Sequence, residues 1–141
     1  MRRSGIALLA FVFVLTVGCQ HAAPGKKARV QRYGSVIGLK EDKIAYYKEL
    51  HANAWPGVLQ QIHECNIRNF SIYMHQLDDG NYYLFSYFEY IGDDFEADMA
   101  RMAEDPVTQK WWKETDPCQI PIENRKEGEW WASMEEVFHC P

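Results

Sequence analysis

A tyrosine and a histidine four residues apart are the residues of this chain best suited to proton transfer. Tyr47 and His51 fall in a segment whose apolar residues, including Ile44 and Leu50, recur every three or four positions. That spacing predicts a helix on which Tyr47 and His51 project from one face, about one turn apart. Histidine has an unperturbed pKa near 6.5, so His51 can accept and release a proton near neutral pH. The pair indicates a site for acid–base chemistry.

Two adjacent tryptophans can supply the apolar wall of such a site. Trp111 and Trp112 follow Asp105-Pro106, which predicts the start of a short helix. Neighbouring residues on a helix point about 100° apart, so at most one of the two rings can stack on a ligand. Aromatic rings cover the apolar C–H faces of sugars well. The sequence leaves open whether each tryptophan lines a pocket or packs in the core.

The remaining sequence predicts the elements that position these residues. Two runs dense in aromatic and branched residues, Asn69–His75 and Tyr82–Tyr90, predict strands, and Asp78–Asn81 between them has the Gly and Asn of a tight turn. The other predicted elements are a strand over Tyr33–Leu39, a helix over Glu41–His51 that resumes after Trp55-Pro56 and runs to Cys65, a helix over Asp93–Ala103, a polar loop over Asp116–Gly128 and a last strand over Trp130–His139.

The order strand, helix, strand, strand, helix, strand predicts an α+β, ferredoxin-like fold with a split βαβ arrangement. Its antiparallel sheet carries helices on one face only. The other face is rich in aromatic residues, which predicts a homodimer, a dimeric α/β-barrel-like assembly. Trp130 and Trp131 are assigned to packing or to the dimer contact, and Tyr73 to the core. His63, His75 and His139 are assigned to the surface or to structural roles.

The amino-terminal segment has the layout of a secretory signal. Residues 1–18 combine a basic start with a short apolar run, and Gly18-Cys19 resembles the end of a bacterial lipobox. This predicts lipidation of Cys19, a tether over residues 19–30 and a folded domain over 31–141, with an ordinary cleaved signal as the alternative. The corresponding expectation is a cell-envelope protein held to the membrane only by its lipid anchor.

Charge and cysteine content exclude some classes of function. The formal net charge is −5 and the lysines and arginines are scattered, so nucleic acid is not an expected partner. Apart from Cys19, the cysteines are Cys65, Cys118 and Cys140, and an exported protein can form one disulfide among them. The sequence does not select the pair. The spacing of cysteines and histidines does not fit a structural zinc site.

Four segments together resemble the L-rhamnose mutarotase family. Tyr47 to Pro56 resembles its Y-x-x-x-H-x-x-x-W-P signature, Asn69 to Tyr73 its second strand, Thr108 to Trp112 its paired-tryptophan helix, and Met134 to His139 its closing strand. The resemblance spans nearly the whole domain. It implies a dimeric ferredoxin-like enzyme that interconverts the α and β anomers of L-rhamnose or a related deoxysugar without a metal or cofactor. It also implies His51 as the acid/base residue, with Tyr47, Phe70, Trp111 and Trp112 binding the sugar.

Phe70 departs from the family pattern, which usually has a tyrosine at this position. The missing hydroxyl removes one hydrogen-bond partner, worth about 0.5–1.5 kcal/mol net. Two alternatives therefore stay open: a non-catalytic, lipid-anchored carbohydrate-binding domain, and a cofactor-free oxygenase or heme-handling protein. The second alternative rests only on the use of similar folds by such proteins.

Overall fold

An antiparallel sheet with helices on one face makes up residues 30–141, the part of the chain that the computed structural model describes. The elements are β1 (Gln31–Leu39), α1 (Ile44–Ala52), α2 (Pro56–Glu64), β2 (Ile67–Gln76), β3 (Tyr82–Tyr90), α3 (Phe95–Glu104), α4 (Pro106–Thr115), β4 (Gln119–Ile120) and β5 (Ala132–Met134). Short 3-10 turns, Glu41–Lys43 and Asp116–Cys118, adjoin α1 and α4. Residues 1–29, which include the predicted signal and Cys19, lie outside this description.

The sheet order confirms the predicted ferredoxin-like fold. Neighbouring strands follow the order β2-β3-β1-β4, and β5 also pairs with β1. Because β1 and β2 are both antiparallel to β3, they run parallel to each other on either side of it, as in a split βαβ unit. The core lies between sheet and helices, where Ile37 and Leu84 pack with Tyr47 of α1. Within the described residues, no helix is both long enough and apolar enough to cross a membrane.

The central hairpin forms as the sequence predicts. Gly80 takes a φ of +81°, the left-handed region that glycine adopts without a steric penalty. The carboxylate of Asp79 accepts hydrogen bonds from the Asn81 backbone at 2.9 Å and from the Tyr83 hydroxyl at 2.7 Å. The turn therefore fixes the register of β2 against β3.

Aspartates start the two helices that follow the hairpin. Asp94 accepts a hydrogen bond from the backbone N–H of Ala97 at 3.1 Å and is the N-cap of α3. Asp105 accepts one from the N–H of Thr108 at 2.7 Å, and Pro106 occupies the first turn of α4. These caps fix where α4 begins and hence which residues it directs toward the sheet.

The end of the chain differs from its predicted form. The strand predicted over Trp130–His139 is limited to Ala132–Met134, which pairs with Gly34–Val36 of β1. The predicted polar loop contains the short strand β4, which pairs with Gly38 and Leu39 farther along β1. Both segments use one edge of β1, and the residues after Met134 pair with no strand of the described chain. Val137 and Phe138 are consequently 88% and 81% exposed.

The second face of the sheet is uncovered. The registers place Val36, Phe85 and Tyr73 side by side on this face, with Tyr87 next to them. The assignment of Tyr73 to the core is wrong, since its side chain is 66% exposed. Tyr73 alternates with Ile72 along β2, and Ile72 faces the helices, so Tyr73 must face away from them.

Candidate active site

His51 is held in one orientation by its own helix. Its Nδ1 lies 2.8 Å from the carbonyl oxygen of Tyr47, one turn earlier on α1. Because a carbonyl oxygen only accepts hydrogen bonds, Nδ1 carries the hydrogen and Nε2 keeps its lone pair in the neutral ring. The imidazole also packs on the Tyr47 ring, with ring centroids 4.2 Å apart. The local geometry of one helix therefore leaves Nε2 as the available base.

The electrostatic surroundings favour the neutral form of His51. Burial lowers the pKa of His51 below its ordinary value of 6.5, and the hydrogen bond to the Tyr47 carbonyl opposes this shift. Burial also raises the pKa of the Tyr47 phenol to about 12, with the amide of Gln119 acting in the opposite direction. Near neutral pH the site therefore offers a neutral imidazole as a base and a phenol that keeps its proton.

Trp111 forms the wall next to His51. It is 8% exposed, and its ring meets the His51 ring edge to face at a centroid distance of 5.2 Å and the Trp55 ring at 5.4 Å. Trp112, the next residue, is 36% exposed. The two neighbours thus have different surroundings, as their 100° separation on a helix requires. We call Tyr47, His51 and Trp111 the helical wall.

A β-bulge places Phe70 on the face of the sheet that is covered by the helices. The pairing of β2 with β3 shifts between Arg68 and Ser71, and Asn69 takes a left-handed φ of 51°. The Asn69 side chain donates a hydrogen bond of 2.7 Å to Glu89 on β3. Phe70 then meets the ring of Phe88 edge to face at 5.6 Å and remains 44% exposed. The bulge therefore turns Phe70 to the side of the sheet that faces the helices.

All five predicted site residues, His51, Tyr47, Phe70, Trp111 and Trp112, line one cavity of about 450 Å³, the smaller cavity. A larger cavity of about 700 Å³ shares four of them, all except Trp112. The larger cavity also includes Lys48, His63 and Arg68. Both volumes lie in the usual range for small-molecule sites, and the linings are mainly apolar with a few polar groups. The structure thus brings together residues that are far apart in the sequence.

The opposite side of the smaller cavity was not predicted from the sequence. Asp116, Gln119 and Trp130, which we call the loop wall, come from the segment after α4 and line this cavity. The Trp130 indole donates a hydrogen bond of 2.7 Å to the Gln119 side chain. Trp130 and Trp131 both line the cavity, so packing or dimer contact does not fully describe their position. The only sequence signal for this wall was its closeness in the chain to Trp111-Trp112.

Two serines lie on the sheet at the base of the smaller cavity. Ser35 of β1 and Ser86 of β3 are cross-strand partners, and their hydroxyl oxygens are 2.6 Å apart.

The cysteines form no disulfide among the described residues, since Cys65, Cys118 and Cys140 are all free. His139 lies 4.0 Å from Glu136, and His75 is exposed. Neither histidine lines either cavity.

Comparison with known proteins gives one consistent family. Residues 32–140 match the family model described as L-rhamnose mutarotase. An L-rhamnose mutarotase from Oceanobacillus iheyensis is 31% identical over 110 residues, covering 78% of this chain and 98% of that protein. One from Lactiplantibacillus plantarum is 28% identical, covering 77% of this chain and 96% of its own length.

Two solved structures share the fold. An L-rhamnose mutarotase from Formosa agariphila superposes with a TM-score of 0.55 at 21% identity, covering 79% of this chain and 99% of its own. Tetracenomycin F2 cyclase from Streptomyces glaucescens, a type-II polyketide cyclase, superposes with a TM-score of 0.58 at 12% identity, covering 79% and 97%. At these identities the structural likeness shows the fold alone.

The comparisons contradict the predicted location in the cell envelope. The match to the family model begins at residue 32, and 98% of the Oceanobacillus relative and 96% of the Lactiplantibacillus relative are covered by the match. The prediction rested on the segment before residue 32, which lies outside the match to the family model. The prediction of a lipid-anchored envelope protein is wrong.

Proposed function

This chain belongs to the L-rhamnose mutarotase family, and we propose that it interconverts the α and β anomers of L-rhamnose, or of a related deoxysugar, with His51 as its base. Membership of the family identifies the chain as an enzyme of the mutarotase class. The observation that supports the substrate and the residue roles is the smaller cavity, which His51, Tyr47, Phe70 and both tryptophans line together.

The reaction opens a cyclic hemiacetal and closes it again on the other face of the carbonyl carbon. In opening, the anomeric hydroxyl loses its proton to Nε2 of His51, the bond from C1 to the ring oxygen breaks, and C1 becomes an aldehyde carbon. The ring oxygen takes a proton at the same time. After rotation about C1–C2, the reverse transfers close the ring as the other anomer. A positioned acid or base of this kind contributes about 10²–10⁴-fold.

The aromatic residues suit a sugar with an apolar face. Trp111 offers a ring next to His51, and Phe70 offers a second ring from the bulge of β2. Tyr47 keeps its proton because its pKa is about 12, so it acts as a hydrogen-bond donor rather than as an acid. A sugar placed against these rings has its polar edge free to meet Tyr47 and His51.

Saturation-transfer NMR tests this function directly. We expect the purified full-length chain to accelerate exchange between the anomers of L-rhamnose, and His51→Ala to lose about 10²–10⁴-fold of that acceleration. His75→Ala is the matched control, since His75 is exposed and lines neither cavity. Unchanged exchange at physiological pH overturns the proposal for that sugar, after which L-fucose is tested. Saturable binding without acceleration points instead to a carbohydrate-binding protein.

The uncovered face of the sheet supports assembly of the enzyme as a homodimer. Val36, Phe85 and Tyr73 share this face, and the exposed Val137 and Phe138 follow β5. A second copy of the chain covers such a face with like residues, as a two-fold symmetric interface requires. Sedimentation is expected to show a dimer, and a single monomeric species well above micromolar concentration contradicts this expectation.

A further inference from the structure

Anomer exchange needs two proton-transfer groups, and the helical wall provides only one of them. While one group takes the proton of the anomeric hydroxyl, another gives a proton to the ring oxygen. His51 has a single free nitrogen, Nε2, because its Nδ1–H is bonded to the Tyr47 carbonyl. The Tyr47 phenol, whose pKa burial raises to about 12, is a weak acid for this role. A stronger proton donor has to come from another part of the cavity.

Asp116 is placed to supply that proton. It directly follows α4, at the start of the 3-10 turn Asp116–Cys118, and it lines the smaller cavity together with His51 and Tyr47. It is the only aspartate or glutamate among the described residues that line either cavity. Thr115, the residue before it, is bonded through its hydroxyl to the Trp111 carbonyl at 3.3 Å. This bond fixes the end of α4 from which Asp116 projects.

The carboxyl group of Asp116 has no structural task among residues 30–141. Asp98, by comparison, is engaged by Asn66 and Tyr90, both at 2.7 Å, and by Arg101 at 2.8 Å. Among the described residues, no hydrogen bond or ion pair engages the Asp116 carboxyl group. A partly buried carboxyl group that faces a cavity without a protein partner is available to a ligand.

The surroundings of Asp116 shift its carboxyl group toward the protonated form. Burial raises the pKa of Asp116 above its ordinary value of 3.8. The titratable groups that face the same cavity are Tyr47 and His51 of α1, and the Cys118 thiol follows two residues later. The ammonium group of Lys40, at the end of β1, donates to the neighbouring Pro117 carbonyl at 2.6 Å. His51 and Asp116 are thus both biased toward their neutral forms, one a base and the other an acid.

We propose that Asp116 is a second catalytic residue of this enzyme and gives the ring oxygen its proton while Nε2 of His51 takes the proton of the anomeric hydroxyl. This inference rests on the proposed anomer exchange. Opening leaves an imidazolium at His51 and a carboxylate at Asp116, and the electron pair of the broken C1–O bond becomes part of the new O–H bond. In closing, the hydroxyl oxygen attacks the other face of C1, its proton returns to Asp116, and the imidazolium proton returns to the anomeric oxygen. Both residues end as they began.

The test compares Asp116→Asn with Asp116→Glu and with the control Glu114→Gln in the full-length chain. Glu114 is the nearest carboxylate on α4, bonds the Tyr46 hydroxyl at 2.6 Å and lines neither cavity. We expect Asp116→Asn to lose about 10²-fold in kcat/KM for L-rhamnose exchange, with sugar binding kept. Asp116→Glu is expected to recover part of the loss, and Glu114→Gln to match the wild type.

The pH profile separates proton donation from a structural role. With both groups present, the rate above the uncatalysed background falls at low pH as His51 gains a proton and at high pH as Asp116 loses one. Asp116→Asn is expected to keep the low-pH limb and to lose the high-pH limb. A variant with wild-type kcat/KM and an unchanged profile overturns the role of Asp116 while leaving the proposed function intact. A wild type without exchange activity overturns both.

Discussion

The two walls of the smaller cavity differ in how they are built. Two of the three residues of the helical wall are fixed locally, because Tyr47 and His51 share one helix and His51 bonds the backbone one turn earlier. The loop wall is fixed by distant contacts, since Gln119 lies on β4, which pairs with Leu39 of β1, and Trp130 is bonded to Gln119. A motif within one helix can therefore specify the acid–base part of a site and say little about the side opposite to it.

Truncating the two adjacent tryptophans is the strongest test of the helical wall. Trp111→Ala removes a buried ring that packs on His51 and Trp55, and we expect it to lower the free energy of unfolding by about 3–5 kcal/mol. Trp112→Ala removes a ring that is 36% exposed and is expected to cost far less, about 1 kcal/mol. Denaturant unfolding measures both. Equal losses show that the two rings share the packing role.

Removing one hydrogen bond tests whether the loop wall is held together by its polar contact. Trp130→Phe keeps an aromatic ring but loses the indole N–H that donates to Gln119. We expect a loss of stability of about 0.5–1.5 kcal/mol and a lower kcat/KM, because Gln119 and Asp116 become less well placed. Trp131→Phe makes the same change at a residue that also lines the cavity, without removing the hydrogen bond to Gln119, and is the matched comparison. Thermal unfolding and exchange kinetics are the measurements. An unchanged kcat/KM means that the wall is positioned without this bond.

Restoring a hydroxyl on the sheet side of the cavity tests its affinity for the sugar. Phe70→Tyr reintroduces the residue usual for the family, at a ring that is 44% exposed and lines the cavity. One added hydrogen bond is worth about 0.5–1.5 kcal/mol, so we expect KM for L-rhamnose to fall roughly 2- to 10-fold. Phe85→Tyr, on the neighbouring strand but on the uncovered face of the sheet, is the control, since Phe85 lines neither cavity. A higher KM in Phe70→Tyr indicates that this cavity prefers a different sugar.

The smallest expected effect is the pH dependence of stability that His51 contributes. Its folded pKa is lowered from 6.5 by burial, so the unfolded chain takes up a proton first as the pH falls. The stability associated with neutral His51 is complete above pH 6.5 and is lost between pH 6.5 and the lower folded pKa. As the pH falls through this window, the Tm of the wild type should therefore decrease relative to the Tm of His51→Gln. A constant difference contradicts the burial of His51.

Sequence patterns predicted what depends on neighbours along the chain. The helix of Tyr47 and His51 and the turn at Gly80 both depend on interactions within a few residues. The order of these elements was enough to predict the ferredoxin-like sheet. The same local reasoning placed Trp111 and Trp112 near His51 only through resemblance to a family, since the two helices are some sixty residues apart in the sequence.

What the patterns missed depends on competition between distant segments. Strand propensity extended β5 to His139, whereas the strand pairs with only three residues of β1 and ends at Met134. Asp116 and Gln119 were predicted to lie in a loop. The strand β4, which pairs with Gly38 and Leu39, has only two residues, and so short a strand leaves no recognisable pattern in the sequence. The assignment of Tyr73 to the core was wrong because the pleat of the strand, not the hydrophobicity of the residue, decides which face the side chain occupies.

The bulge between Arg68 and Ser71 divides β2 into two halves of opposite parity. Ile67 and Ile72 both face the helices although they are five positions apart, an odd separation that a regular strand would send to opposite faces. The extra residue shifts the alternation of side chains by one position, so that Ile67 before the bulge and Ile72 after it face the same side. We therefore expect β2 to accept substitutions at Asn69, especially to glycine, but not the gain or loss of one residue there. Such a change in length would move the side chains of one half of the strand to the opposite face of the sheet and remove Phe70 from the cavity.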